Sequence, residues 1–120
     1  MKNKLDDLAR AKHIADCIAE IELFLKMFPL DEIETNLMFR RALERSLEII
    51  GEASIHLTEE TKNNHPNIQW RGIKGFRNIV IHEYFGVDLE FIKLVITDEL
   101  PKLKIVIQQI INQLEPNQTK

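Results

Sequence analysis

Apolar residues recur at steps of three and four along most of this chain, and that spacing restricts its fold more than any other feature. Between Lys4 and Phe28 the stripe consists of Ala11, Ile14, Ile18, Ile21, Leu25 and Phe28. Such a stripe on an otherwise charged segment predicts a long amphipathic helix. Asp6 and Asp7 would complement its dipole, and Pro29 would end it.

A second stripe predicts another long helix, from Asp31 to about Lys62. Asp31 is predicted to cap it, with Glu34 three residues later as in a capping box. The buried side would carry Ile33, Leu37, Leu43, Leu47, Ile50, Ser54 and Leu57. Gly51 lies inside this helix at some cost in helix propensity, and the close approach of a neighbouring helix is the expected reason.

The main interruption is the segment 63–69, where Pro66 and several asparagines predict a loop. A short third helix is then predicted over residues 70–82. Its core-facing residues would be Ile73, Phe76 and Val80. Gly72 and Gly75 weaken this helix, which indicates tight packing or a backbone close to a ligand, and packing is the preferred interpretation.

The last stripe begins after Gly86, which could end the third helix, and its helix would start at Asp88. It comprises Leu89, Ile92, Ile96, Leu100, Leu103, Ile107, Ile110 and Leu114. Pro101 should kink this run or divide it after Glu99 or Leu100. Because no segment alternates with period two, the prediction is an all-α bundle, with one helical domain over residues 1–115 and a polar tail at 116–120.

Composition limits the class of protein. The 120 residues carry a formal net charge of −3, so nucleic-acid binding would need a local basic patch. The first residues form no apolar signal core and no apolar run is long enough to span a bilayer, so we expect a soluble cytoplasmic protein without a membrane partner. His13 and the single cysteine, Cys17, are spaced like half of a metal site, but with no further ligands nearby we expect no metal there.

The segment 77–84, R-N-I-V-I-H-E-Y, concentrates the chemistry of the chain. Arg77 supplies a fixed cation, His82 titrates near neutral pH, and Tyr84 supplies a phenol. On an ideal helix Asn78 and His82 are about 40° apart, whereas Arg77 and His82 are about 140° apart. Arg77 and His82 can therefore meet only if the arginine side chain swings round or the helix loosens near its end.

Metal-independent RNA cleavage needs a base, an acid and a cation that stabilises the charged phosphorus centre. One copy of the segment 77–84 offers a single imidazole, so a two-fold dimer with two copies across one groove would supply both proton-transfer groups. Lys74, about one turn before Arg77, and Arg71, about two turns before it, could extend a basic surface towards RNA. Arg40 and Arg41 could contribute a further RNA-facing patch, or form an ordinary surface ion pair with Glu44.

The segment 77–84 resembles the signature of the HEPN superfamily, in the branch of HepT-type toxins: an arginine, four residues, a histidine, any residue and a tyrosine. Further similar blocks are R-A-L-E-R-S-L-E-I-I-G-E-A at 41–53, H-P-N-I-Q-W at 65–70 and D-E-L-P-K-L at 98–103. The resemblance implies a four- to five-helix up-and-down HEPN bundle that forms a homodimer, or a higher oligomer, and cleaves RNA without a metal or cofactor. It implies that Arg77 and His82 are catalytic and that Asn78 supports them.

The same resemblance implies a type VII-like toxin–antitoxin pair. The partner would be a minimal nucleotidyltransferase of the MntA type, which attaches AMP to Tyr84. Each AMP would place a bulky anion beside Arg77 and block RNA. Two other interpretations remain open: a binding module that serves the nucleotidyltransferase without cleaving RNA, and a purely structural dimer.

Overall fold

A computed structural model of the protein describes residues 4–78 and 89–115. The α-helices in these ranges are α1 Lys4–Met27, α2 Leu37–Ile55, α3 Glu59–Asn63, α4 Trp70–Lys74, α5 Leu89–Leu94 and α6 Leu100–Leu114. Shorter helical turns occupy Leu30–Glu34 and Gly75–Asn78 (both 3₁₀) and Val95–Glu99 (π). These ranges contain no β-strand, and the all-α prediction is confirmed.

Helix α1 is the centre of the bundle and packs against both α2 and α6. Near its start Asp7 accepts a hydrogen bond from the backbone N–H of Thr58, just beyond the end of α2. On its other side Lys12 pairs with Glu115 at 3.0 Å, and ten residues further on Glu22 pairs with Lys104 at 2.7 Å. Both neighbours therefore run antiparallel to α1, which gives the up-and-down bundle that the sequence predicted.

The predicted stripes form one core. Its largest fully buried apolar side chains come from the three long helices, from α5 and from the turns on either side of α2: Ile14, Ile21, Ile33, Leu43, Leu47, Ile50, Leu57, Ile92, Leu103, Ile107 and Ile110. Leu37 was wrongly predicted to be buried; 53% of it is exposed, because in the first turn of α2 it is Phe39, on another face of the helix, that packs into the core. Cys17 belongs to the core although the predicted stripe omitted it.

The predicted second helix is divided in two places. Leu30–Glu34 is a separate 3₁₀ turn, and α2 begins after Asn36, whose side chain accepts a hydrogen bond from the backbone N–H of Phe39 at 3.1 Å. The prediction that Asp31 caps this helix is therefore wrong. The helix also stops at Ile55, and Thr58 starts α3 by accepting a hydrogen bond from the N–H of Thr61.

Asp7 explains why the chain breaks before α3. Its buried carboxylate accepts hydrogen bonds from the Thr58 backbone N–H, the Thr58 hydroxyl and the Thr61 hydroxyl, at 2.8, 2.7 and 2.6 Å. Three donors satisfy a charge that would otherwise be costly to bury. The carboxylate thereby fixes the end of α2 against the first turns of α1, where the candidate site lies.

Pro101 divides the last stripe as predicted, since α6 begins at Leu100. The preceding turn is π-helical, with the N–H of Leu100 bonded to the carbonyl of Val95. Proline lacks an N–H and its ring crowds the preceding turn of a helix. The wider π-helical turn gives the ring of Pro101 the room it needs. Within the described ranges, no helix is both long enough and apolar enough to cross a membrane.

Several predictions fall outside the described residues: the core position of Val80, the cap at Gly86, the helix start at Asp88 and the tail at 116–120. Tight packing was the wrong explanation for the two glycines around α4. A Cβ at Gly72 would meet only ordinary contact at 3.7 Å, from Gln69, and one at Gly75 would meet nothing within 4 Å.

Candidate functional site

The segment after α4 passes unusually close to α2. A Cβ built on Gly51 would lie 2.8 Å from the backbone nitrogen of Arg77 and 2.9 Å from the carbonyl oxygen of Ile73. Any side chain here would collide with backbone, so glycine is what lets the two elements touch. This confirms the prediction that Gly51 permits a close approach, and it fixes the backbone of Arg77 against the second half of α2.

Arg77 and Asn78 line an open groove of about 740 Å³. Its walls also contain side chains of α1 and of the second half of α2: Arg10, His13, Arg45, Glu48, Ile49, Glu52, Ala53 and His56. Three arginines outnumber two glutamates here, in a protein whose formal net charge is −3. The groove is therefore a local basic surface on an acidic protein, of the kind that anions such as phosphates need.

One carboxylate joins an arginine and a histidine of the groove. Glu52 approaches the guanidinium of Arg77 at 3.6 Å through Oε1 and the Nε2 of His56 at 3.4 Å through Oε2. All three side chains are between 42% and 57% exposed, so they remain accessible to a ligand. Glu52 holds the arginine and the imidazole on one side of the groove, although solvent screening keeps such pairs weak in stability terms.

The remaining charges of the groove differ in how they are paired. Arg45 pairs with Glu48 at 3.1 Å along α2. Arg10 and His13, one turn apart on α1, are exposed and make no side-chain ion pair within residues 4–78 and 89–115. The side chains of Arg10 and His13 thus line the same groove as the ion pair of Glu52 and Arg77, and they are available to bind an anion.

Comparisons with known proteins identify the family. The model of the "Ribonuclease HepT-like" family matches residues 14–110. The chain belongs to the HepT-like family. This confirms the resemblance inferred from the segment 77–84 and its accompanying blocks, and the match covers α1 from Ile14 onwards and most of α6.

Three relatives of this HepT-like chain carry ribonuclease names. A Methanocaldococcus jannaschii protein named "Putative RNase" is 35% identical over 102 residues, which cover 85% of this chain and 94% of that protein. A Caldanaerobacter subterraneus protein, also named "Putative RNase", is 42% identical over 73 residues, which cover 61% of this chain and 65% of that protein. The "Probable ribonuclease HepT" of Thermococcus cleftensis is 36% identical over 91 residues, 76% and 83% of the two chains. No solved structure matches the chain significantly.

Not all of the predicted site residues of this HepT-like chain lie at the groove. Arg71 and Lys74 are exposed on α4 but do not line it. His82 and Tyr84 fall outside the described residues, so their distances from Arg77 stay open.

Arg40 and Arg41 also lie away from the groove, and they hold a buried carboxylate. Arg41 reaches Glu44 at 3.2 Å and Arg40 reaches it at 3.9 Å, while only 1% of the glutamate side chain is exposed. The ordinary surface ion pair suggested by the sequence is therefore a partly buried cluster. Substituting either arginine would leave the buried charge of Glu44 less compensated and would destabilise the fold. A loss of RNA binding in such a variant would therefore not report on RNA contacts alone.

His13 and Cys17 do not share an environment. His13 lines the groove, whereas Cys17 is buried in the core, and burial raises the pKa of its thiol to about 11, with Glu20 and Asp16 adding to the rise. A protonated thiol is a poor metal ligand. The described residues contain no group of three or more histidine, cysteine, aspartate or glutamate side chains that could hold a metal ion.

Sequence reasoning missed four groove residues as site residues: Arg10, His13, Glu52 and His56. A signal for them was present. On α2 the groove residues at 45, 48, 52 and 56 follow one another at steps of three and four, and on α1 those at 10 and 13 are three apart. What the sequence lacked was the knowledge that these two polar faces meet beside Arg77.

Proposed function

We propose that this HepT-like protein is a metal-independent endoribonuclease. Two observations support the proposal: membership of a family whose relatives carry ribonuclease names, and the position of Arg77 and Asn78 in a basic groove. The second observation carries more weight, because it concerns this chain itself. The groove is open, and its arginines suit phosphate oxygens.

In the proposed reaction Arg77 and His82 are catalytic. The guanidinium of Arg77 binds the scissile phosphate and stabilises the extra negative charge of the pentacoordinate phosphorus centre. His82 exchanges a proton with a reacting ribose oxygen. Asn78, which also lines the groove, supports them by orienting the imidazole or the RNA backbone.

RNA binding is proposed to extend beyond the groove. Arg71 and Lys74 are exposed on the helix that precedes Arg77, and they can contact the phosphates of the same strand. Arg40 and Arg41 remain weaker candidates because they already hold Glu44. We propose that the active unit is a homodimer, or a higher oligomer, with two copies of the segment 77–84 facing each other.

We further propose that the protein is the toxin of a type VII-like toxin–antitoxin pair. Its antitoxin would be an MntA-like nucleotidyltransferase that transfers AMP to the hydroxyl of Tyr84. The added phosphate would compete for Arg77 and occupy the path of the RNA. Tyr84→Phe should then still cleave RNA, but incubation with the nucleotidyltransferase and ATP should no longer silence it.

The cleavage proposal is tested by substituting Arg77. The substitution Arg77→Ala should lower RNA cleavage in EDTA by about 10²-fold or more, since electrostatic stabilisation of this kind is lost. Arg77→Lys keeps the positive charge but loses the bidentate guanidinium. Its cleavage rate should lie between those of Arg77→Ala and the unmodified protein. Lys104→Ala, which removes a cation on the opposite side of α1, is the matched control and should cleave normally. Equal rates for Arg77→Ala and the control would refute the role of Arg77.

A second candidate is a binding module that serves the nucleotidyltransferase without cleaving RNA. The observation that favours it is the carboxylate of Glu52, 3.6 Å from Arg77, which partly neutralises the proposed catalytic cation. This candidate predicts AMP transfer to Tyr84 by the partner enzyme and no RNA cleavage at any protein concentration. The two measurements together separate the two functions.

A further inference from the structure

The proposed reaction needs two proton-transfer groups, and the groove contains two imidazoles without a role, those of His13 and His56. His56 is the candidate, because it is paired with Glu52, which also meets Arg77. His56 follows directly after α2, and its Nε2 lies 3.4 Å from Glu52 Oε2. A carboxylate has no proton to donate, so in neutral His56 the proton lies on Nε2 and the lone pair on Nδ1. Nδ1 makes no hydrogen bond within the described ranges, which leaves its lone pair available.

The same carboxylate controls the position of the proposed catalytic cation. Glu52 Oε1 lies 3.6 Å from the guanidinium of Arg77, so the same side chain contacts both the imidazole and the arginine and sets how far apart they lie. A base that takes a proton from the attacking oxygen must lie close to the group that binds the attacked phosphate. A carboxylate that holds an imidazole in one tautomer is also a known way to prepare a histidine base.

We propose that His56 is the general base of RNA cleavage and that Glu52 is its positioning residue; this inference rests on the proposed function. Nδ1 of His56 takes the proton of the ribose 2′-hydroxyl, and the 2′-oxygen forms a bond to the adjacent phosphorus. The bond from phosphorus to the 5′-oxygen breaks, and that oxygen receives a proton from His82. The products are a 2′,3′-cyclic phosphate and a 5′-hydroxyl, so atoms and charges balance without a further reactant.

The charged groups around His56 come from three elements of the fold. Glu52 faces it from its own helix and Arg77 from the segment after α4. From α1 the groove presents Arg10 and His13, and further along α2 it presents Arg45 and Glu48. A general base accepts a proton only in its unprotonated form, so we expect kcat/KM to rise with pH.

The test measures kcat/KM against pH on a short RNA with one cleavable site. In the unmodified protein the value should rise with pH, whereas in His56→Gln it should be at least about 10²-fold lower and the rise should be lost. A second RNA carries sulfur in place of the bridging 5′-oxygen, which leaves without needing an acid. This RNA should restore cleavage by His82→Ala and leave His56→Gln impaired, because only the acid is bypassed.

Glu52→Gln should lower kcat/KM by about tenfold and keep the rise with pH, since the base is present but poorly held. Its matched control is Glu22→Gln, another half-exposed glutamate paired with a cation, Lys104, but outside the groove. The melting temperature of His56→Gln should stay close to that of the unmodified protein, because the imidazole is 42% exposed.

Three results for His56→Gln would overturn the inference. The first is a kcat/KM within about threefold of that of the unmodified protein, and the second is a low kcat/KM that still rises with pH. The third is restored cleavage of the sulfur-containing RNA by this variant. If the protein cleaves RNA and loses cleavage in His82→Ala but not in His56→Gln, only this inference fails. If the unmodified protein cleaves no RNA at all, the proposed function fails and the inference with it.

Discussion

At the scale of single residues, Gly51 and Arg77 show what the sequence could and could not predict. A glycine inside an apolar helical stripe already indicates a close neighbour, because its lower helix propensity needs compensation. The sequence could not say that the neighbour would be the backbone of Arg77. The partners of Arg77 across the groove were equally hidden, since Glu52 lies 25 positions earlier in the chain.

Gly51→Ala should damage both stability and activity. The new methyl group would lie 2.8 Å from one backbone atom and 2.9 Å from another, and backbone cannot move aside as a flexible side chain can. Overpacking of this kind costs about 1 to 3 kcal/mol, which exceeds the gain of at most about 1 kcal/mol in helix propensity. RNA cleavage should fall as well, because Arg77 is displaced.

The control for this substitution is Gly75→Ala, where nothing lies within 4 Å of the new methyl group and the backbone has φ −65°. Chemical denaturation should show unchanged or slightly higher stability for Gly75→Ala. If Gly51→Ala is as stable as the unmodified protein and cleaves RNA equally well, the close approach does not position Arg77.

Cys17 gives a prediction about pH. Burial raises the pKa of its thiol from 9.0 to about 11 in the folded protein. Below pH 9 the thiol is protonated in both states and the free energy of unfolding is unaffected. As pH rises from 9 to 11 the unfolded chain releases this proton more readily, so the contribution to stability is lost across that window. At pH 8 iodoacetamide should label Cys17 only after denaturant is added, and rapid labelling of the folded protein would contradict its burial.

At the scale of elements, the sequence predicted which segments are helical better than it predicted where they start. The apolar stripes depend on many residues, whereas a helix start depends on one cap. Asp31 and Asn36 are both residue types that cap helices, and their order in the chain does not decide between them. The geometry does: Pro29 begins a 3₁₀ turn that ends before Asn36, and only Asn36 accepts the N–H of Phe39.

The two candidate caps can be separated by experiment. Asn36→Ala should lower the free energy of unfolding by about 1 kcal/mol, because the first turn of α2 loses its side-chain hydrogen bond. Asp31→Ala should change it by less than about 0.5 kcal/mol, since the ion pair of Asp31 with Lys93 at 3.3 Å is exposed on the aspartate side. Urea denaturation of both variants measures the difference. A larger loss in Asp31→Ala would restore the cap that the sequence suggested.

Lys93 shows how α5 is attached to the rest of the bundle. Its ammonium group lies 2.8 Å from Glu34 and 3.3 Å from Asp31 in the first 3₁₀ turn, and 3.6 Å from Glu90 in its own helix. The hydrogen bond to Glu34 is the main reason why the pKa of Lys93 is raised above its usual value. The sequence could not reveal this contact, because its partners are separated by some sixty positions.

At the scale of the whole molecule, the fold could be predicted and the site only in part. Period and length of the stripes leave few alternatives to an antiparallel helical bundle. The segment 77–84 was recognisable because it is local in sequence. The groove was not, because it joins one face of α1, one face of α2 and the segment after α4. A site assembled from three elements depends on packing that no single segment encodes.

The central claim is that this chain cleaves RNA by the chemistry of Arg77 and His82. The most direct measurement incubates the purified protein with end-labelled structured RNA in EDTA and identifies the new termini. We predict fragments that end in 2′,3′-cyclic phosphate and 5′-hydroxyl groups, and their loss in His82→Ala without loss of the folded state. Unchanged cleavage in a folded His82→Ala variant, or intact RNA with the unmodified protein at every concentration, would contradict the account.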